Sequence, residues 1–306
     1  MSEMSTVASG LQFPEGPIAL PDGSVILVEI ARGTLSRVLP NGTIEVVAEC
    51  GGGPNGAAFG PDGRVYVCNN GGFDTAIRDG QTRILETLES YVGGSIQAVD
   101  IDSGTVETLY TEVDGNPLKG PNDLVFDREG GMWFTDHGKT YERQVDRGGL
   151  YYAKPDGSEI REAIFPLEGP NGVGLSPDEK TLYVAETHVG RVRRWSLSAP
   201  GVIDGKYGKR TRGEVLAGLP GEQLLDSLAV DAEGHVAVAT IRNGGITDVD
   251  PSDGSTQHVP TGDPLTTNIC FGGPDMRTAH ITCSRSGTLK RTTWHRPGLR
   301  LNFNPY

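Results

Sequence analysis

Long apolar runs, cysteine motifs, convincing helices and excess basic charge are all missing from this 306-residue chain. No stretch approaches the ~18 consecutive apolar residues of a membrane-spanning helix, so no membrane partner is expected. The N-terminus MSEMSTVASG lacks the basic start and apolar core of a secretory signal, which makes the cytoplasm the expected location. The four cysteines, Cys50, Cys68, Cys270 and Cys283, show no C-x-x-C or other zinc spacing. Cys68 and Cys283 sit in apolar runs, where a thiol serves as a small core hydrophobe. Lys and Arg number 27 against 40 Asp and Glu, a net charge of −13 that excludes a nucleic-acid partner, because a phosphate backbone is bound by neutralising it. No G-x-S-x-G elbow is present to make a serine hydrolase. The longest helix-compatible stretch, Thr82 to Tyr91, is too short to supply the crossovers of a doubly wound α/β sheet.

What is plentiful is turn chemistry. Gly (44) and Pro (20) make up about a fifth of the chain without a collagen-like period, and 36% hydrophobic residues suffice for a core divided among thin sheets. One unit occurs six times: a polar residue, four or five small or apolar residues, an acidic turn, then an apolar alternating run. It begins at Glu15, Asn55, Asn122, Asn171, Asp226 and Asn268, and seven positions later stand Asp22, Asp62, Glu129, Asp178, Glu233 and Asp275. Two apolar runs around an Asp-Gly type turn predict a β-hairpin, and further strand-like runs follow, such as TLSRVLP and TIEVVAE. The marks lie 40, 67, 49, 55 and 42 residues apart, close to the ~40–50 residues of a four-stranded propeller blade. The expected fold is therefore all-β: a single domain over residues 1–306, a six-bladed β-propeller with four-stranded blades. Residues 1–14 and 268–306 together supply one more repeat length, so the segment STVASG is expected to add the outer strand of the last blade and close the ring.

In such a ring the first strand of each blade lines the central tunnel. The six marks would then converge as oxygen donors, a costly arrangement to bury unless something binds them. Carboxylate and amide oxygens without His or Cys suit one hard divalent cation, Ca²⁺ first, then Mg²⁺ or Mn²⁺, with Zn²⁺ or Fe²⁺ as further candidates. The simpler reading is that these side chains cap strand ends or hold tunnel water. At the same tunnel end, the second strands of blades three and four finish at Asp136 and His137 and at Glu186 and His188. These could orient substrate, move a proton, or merely anchor loops. Residues 71–94 form an insertion whose Phe73, Ile84, Leu85 and Tyr91 could cover a pocket or decorate the rim.

The motifs FPEGP (Phe13–Pro17), GPND (Gly120–Asp123), GPNG (Gly169–Gly172) and LLDSLAVD (Leu224–Asp231), in this order along the chain, resemble the senescence marker protein, gluconolactonase and luciferin-regenerating enzyme family. The resemblance implies a six-bladed propeller with a tunnel cation held by Glu15, Asn171 and Asp226. Asn122 matches a position that ligates metal in the related diisopropyl fluorophosphatase and paraoxonase type propellers and touches substrate in sugar lactonases. The sugar lactonases would place an Arg two residues before Asn122 and a Glu shortly after the second strand of that blade. Gly120 and Thr140 stand there instead, so a less hydroxylated or partly apolar lactone is expected, unless Arg78, Arg143 or His137 supplies the missing donors.

The function expected from these features is a metal-dependent lactone hydrolase. Glu15, Asn122, Asn171 and Asp226 hold the cation, Asp226 activates water, and Asn122, Asn55, Asn268, His137 and His188 contact a small lactone or ester. A phosphotriesterase-like or other ester hydrolase on the same site, and a non-enzymatic binding propeller, are the alternatives. A monomer or homodimer is expected.

Overall fold

The computed structural model describes residues 4–79, 81–205 and 213–306, and the described residues contain strands and turns with no helix. Six antiparallel sheets form the blades of a propeller. Their inner strands are Pro14–Ala19, Pro54–Phe59, Pro121–Phe126, Pro170–Leu175, Leu224–Val230 and Thr266–Gly272, each packed on the next, with the sixth returning to the first. An apolar cluster fills each of the six junctions, for example Trp133, Leu150, Val184 and Trp195 between blades three and four. The ring closes as expected: Ser5–Ser9 pairs antiparallel with Thr288–Thr293 as the outer strand of blade six.

The repeat dictates how each inner strand meets its neighbour. Pro14 pairs with Glu29, Pro54 with Asn69, Pro121 with Asp136 and Pro170 with Glu186, after which the register slips in every blade, between Glu15 and Ile18, Pro54 and Ala57, Pro121 and Leu124, and Pro170 and Val173. Blade five slips between Leu225 and Leu228 and blade six between Thr266 and Asn268. A β-bulge leaves residues unpaired and re-aims their side chains. Here the bulges fall on the polar marks of blades two to five, Asn55, Asn122, Asn171 and Asp226, and directly beside Glu15 and Asn268, which keep Val28 and Thr282 as partners.

The polar residue at the end of the second strand holds the loop that leads into the bulge. Glu29 accepts from the Gln12 amide at 2.7 Å, Asn69 from Gly53 at 2.9 Å, and Glu186 from Glu168 at 2.9 Å. Asp136 accepts from the amides of Lys119 at 2.6 Å, Gly120 at 2.7 Å and Gly138 at 2.9 Å. Asp136 and Glu186 are thus loop anchors, the plainest of the three roles open to them.

Two details depart from the sequence pattern. In blades three and five the turn is held not by Glu129 or Glu233 but by Asp127 and Asp231, which accept from the amides of Glu129 and Glu233 respectively. The helix-compatible stretch from Thr82 forms a strand, Gln81–Thr87, paired with Phe73–Arg78.

The far end of the tunnel is closed by the C-terminal tail. Leu299 N donates to Val230 O, Asn302 Nδ2 to Phe126 O and Glu179 Oε1, and the Tyr306 hydroxyl to Leu20 O. Above the tail lies an apolar cavity of about 80 Å³, lined by Ile18, Phe59, Leu124, Val173, Leu228 and Leu301 among others, with Asp123 and Asn268 in its wall.

Removing the Asp136 carboxylate orphans three amide donors, so Asp136→Ala is expected to lower stability by about 3 kcal/mol. Denaturant unfolding checks this, and a loss below about 1 kcal/mol would remove the anchoring role.

Candidate functional site

The six marks converge at the open end of the tunnel, and all are buried: Glu15 is 1% exposed and Asp226 7%. The first bulge brings Gly16 against blade two with a φ of +52°, where a Cβ would stand 2.7 Å from Asn55 O and 2.8 Å from Ala57 N. Gly56 lies as tightly on blade three, since its Cβ would be 2.5 Å from Asn122 O. Only glycine permits this approach, which packs the polar residues of adjacent blades together.

Within the ring, Asn268 Nδ2 donates to Glu15 Oε2 at 2.8 Å, and Asn268 Oδ1 accepts from Ile269 N at 2.7 Å. Both ends of that amide are engaged, so Asn268 orients Glu15. Asn171 donates from Nδ2 to Thr187 Oγ1 at 3.2 Å, and its Oδ1 lies 3.5 Å from Ser227 Oγ. Asn122 is different: its Oδ1 is buried with no hydrogen-bond partner. Asn55 is buried beside these groups.

The electrostatics are one-sided. Burial, then the negative charges of Asp226 and Asp123, hold the Glu15 carboxyl well above its usual range, against hydrogen bonds from Asn268 and Gly16 that lower it. Burial raises Asp226 to about 7, with the Asn171 side chain pulling down and Asp123 pushing up. Asp123, which sequence reasoning missed, is buried as well and raised to about 7 by burial. It accepts from Leu124 N at 2.9 Å and Val173 N at 3.4 Å. Among the described residues, no cationic side chain is among the main influences on any of the three.

Among the described residues no group of three or more His, Cys, Asp or Glu is placed to hold a metal. The set that suits a cation mixes types: carboxylates of Glu15 and Asp226, the amide oxygen of Asn171, and the orphaned Asn122 Oδ1. Uncompensated buried carboxylates beside an unpartnered acceptor are the donor chemistry of a hard divalent ion.

Beside the ring, the imidazoles of His137 and His188 meet edge to face with centroids 4.9 Å apart. Gly169, at a φ of +64°, packs on both. Burial and then the neighbouring His188 bring His137 down to about 4, and burial also lowers His188, so both rings are neutral at pH 7. Arg78 and Arg143 are exposed, Arg78 at the tip of the inserted hairpin. Gly120 has no room for a longer side chain, since a Cβ would stand 2.7 Å from Gly138 O.

A second residue missed in the sequence is Lys139, which is fully buried. Its Nζ donates to Gly72 O at 2.9 Å and lies 3.5 Å from the centre of the Phe73 ring and 5.0 Å from that of Tyr91, and burial lowers it to about 7. Phe73 and Tyr91 therefore serve to seat the insertion on blade three, while Leu85 is 54% exposed and covers nothing.

The sequence from residue 13 to 285 matches the family model described as SMP-30/Gluconolactonase/LRE-like region. The chain belongs to this family of six-bladed propellers. Among particular relatives, it is 31% identical over 241 residues to the lactonase drp35 of Staphylococcus saprophyticus, covering 77% of this chain and 65% of that one, just under two thirds of the relative's length. It is 27% identical over 320 residues to the gluconolactonase of Zymomonas mobilis, covering 94% and 81%. The fold superimposes on a gluconolactonase of Xanthomonas campestris with a TM-score of 0.72 at 23% identity, covering 95% and 89%. It also superimposes on the calcium-binding protein regucalcin of Agrobacterium tumefaciens with a TM-score of 0.71 at 20% identity, covering 95% of each.

Glu15 and Asp226 bind protons more tightly in the folded, metal-free protein than in the unfolded chain. Their burial therefore costs stability progressively as pH rises above the ordinary carboxylate range toward about 7 and beyond. A cation bound at this ring would replace those protons, so the rise in Tm on adding saturating Ca²⁺ to chelated protein is expected to be larger at pH 8 than at pH 5. Differential scanning calorimetry reads it, and a rise that is absent or shrinks with pH would contradict the ring as a cation site.

Proposed function

We propose that the chain is a metal-dependent hydrolase that opens a lactone, a cyclic carboxylic ester. The observation that carries this reading is the confinement of Glu15, Asp226 and Asp123 in a buried ring with no cationic side chain among their main influences in the described residues, together with the unpartnered Asn122 Oδ1. The names of its relatives, lactonase drp35 and gluconolactonase, favour lactones over other esters. That regucalcin is a calcium-binding protein favours Ca²⁺.

Glu15, Asn122, Asn171 and Asp226 would hold one divalent cation, which when bound polarises the lactone carbonyl and stabilises the developing oxyanion. Asn268 keeps the Glu15 carboxylate turned to the axis. Asp226 takes the proton from the attacking water and returns it to the leaving ring oxygen, so that a hydroxy acid results. Asn55 and the neutral His137 and His188 offer hydrogen bonds to the substrate without adding charge. The C-terminal tail closes the far end, so substrate and water enter from the side of the ring. With Gly120 in place of a longer donor, a simple alkyl γ- or δ-lactone should be turned over more efficiently than gluconolactone.

Asp226→Asn retains an oxygen ligand but no base, so kcat is expected to fall roughly 10²–10⁴-fold while much of the bound metal stays. Steady-state kinetics with metal content measured on the same samples test this, and an unaltered kcat removes Asp226 from the chemistry. A panel of lactones, aryl esters and phosphotriesters tests the class: preference for a non-lactone would overturn the reaction assigned.

A further inference from the structure

The inserted hairpin, Phe73–Arg78 with Gln81–Thr87, belongs to blade two but is not fastened there alone. At one end of the second strand, Arg285 Nε donates to Gln81 Oε1 at 2.6 Å. At the other, Thr87 Oγ1 donates to Thr140 O at 3.4 Å. Arg285 follows the second strand of blade six, and Thr140 follows the second strand of blade three. Blades three and six stand opposite each other in a ring of six. Both of these loops lie at the end of the tunnel that carries the polar ring, because the second strands finish where the inner strands begin, Asp136 opposite Pro121 and Cys283 opposite Thr266.

A strand fastened to opposite blades crosses the axis. Seven extended residues span about 20 Å, enough to bridge the mouth. The hairpin is thus a strap over the site, seated at its base by Lys139, with Ile84 at the midpoint of the crossing strand and Arg83 next to it.

Arg83 is the unusual residue there. Its Nε is buried with no hydrogen-bond partner, and no ion pair to it is present among the described residues. Most of the other half-buried or buried arginines meet a carboxylate: Arg37 meets Asp22, Arg64 meets Asp62 and Glu107, Arg191 and Arg193 meet Glu186, and Arg296 meets Asp231 and Asp248, while Arg277 and Arg285 bond instead to the His295 carbonyl and to Gln81. In a chain with 40 acidic residues, a half-buried guanidinium above the tunnel without one is a site for an anion from outside.

We infer that Arg83 is a specificity residue that binds a carboxylate substituent on the substrate, so that the lactone turned over here bears a free carboxylate. The inference rests on the lactonase reading for the reaction, though not for the binding. A single planar guanidinium matches one carboxylate fork. A phosphate would call for a second cation, and the cations that touch the strap are engaged, Lys139 with Gly72 and the Phe73 ring and Arg285 with Gln81.

The test compares 5-oxotetrahydrofuran-2-carboxylate with the uncharged γ-valerolactone on the metal-loaded full chain, wild type, Arg83→Gln and Arg83→Lys. The wild type is expected to favour the carboxylate in kcat/KM by about tenfold or more, a preference that Arg83→Gln abolishes through KM and Arg83→Lys partly restores. Binding is read separately with the lactam 5-oxopyrrolidine-2-carboxylate against pyrrolidin-2-one by calorimetry. Arg83→Gln should weaken the charged lactam about tenfold and the neutral one little. If neither lactone is hydrolysed but the charged lactam binds in an Arg83-dependent way, Arg83 keeps its role and the hydrolase reading falls. If both lactones are hydrolysed and Arg83→Gln leaves their ratio and the lactam affinities as they were, Arg83 is not the specificity residue.

Discussion

Three carboxylates held out of water within reach of one another's charge are the constraint around which this molecule is arranged. Glu15, Asp226 and Asp123 each come from a different blade, and each is pushed toward its protonated form by burial before any other influence. Like charges in a buried site are tolerated only if protons or a cation neutralise them. Six bulges deliver the polar side chains to that point, and glycines at positions 16 and 56 allow adjacent blades to approach closely enough for them to meet.

The rest of the fold fixes the position of these groups. The second strand of each of the first four blades ends in Glu29, Asn69, Asp136 or Glu186, each bonded back to the amides ahead of the bulge, so the ring is braced from behind. The tail from Leu299 closes the far side and the strap formed by Phe73–Arg78 and Gln81–Thr87 crosses the near side. A ring braced from behind in this way is held in place by the fold itself, the preorganisation that electrostatic catalysis requires.

The propeller and its polar ring were legible because both follow from a periodic signal: the same polar mark and acidic turn recur six times, and a repeat constrains architecture far more than propensity does. What escaped was whatever the period does not contain. Asp123 stands one residue past a mark where the other blades carry Gly, Ser or Ile, and the repeat gives such a position no role. Asp127 and Asp231 replace Glu129 and Glu233 at the turns because an Asp two residues earlier reaches the same amides by a shorter side chain. The course of the strap depends on Arg285 meeting Gln81 and Thr87 meeting Thr140, contacts across 204 and 53 residues that no local pattern encodes. For the same reason nothing in the sequence pattern marks Lys139, the buried seat of the insertion, whose bond to Gly72 O spans 67 residues.

The most direct test of the cation ring is metal stoichiometry. Protein equilibrated with Ca²⁺, freed of excess by desalting and analysed for its elements, is expected to carry one divalent ion per chain, and Glu15→Gln combined with Asp226→Asn much less than one. Wild-type protein that retains no ion and hydrolyses lactones equally well after chelation would contradict the account.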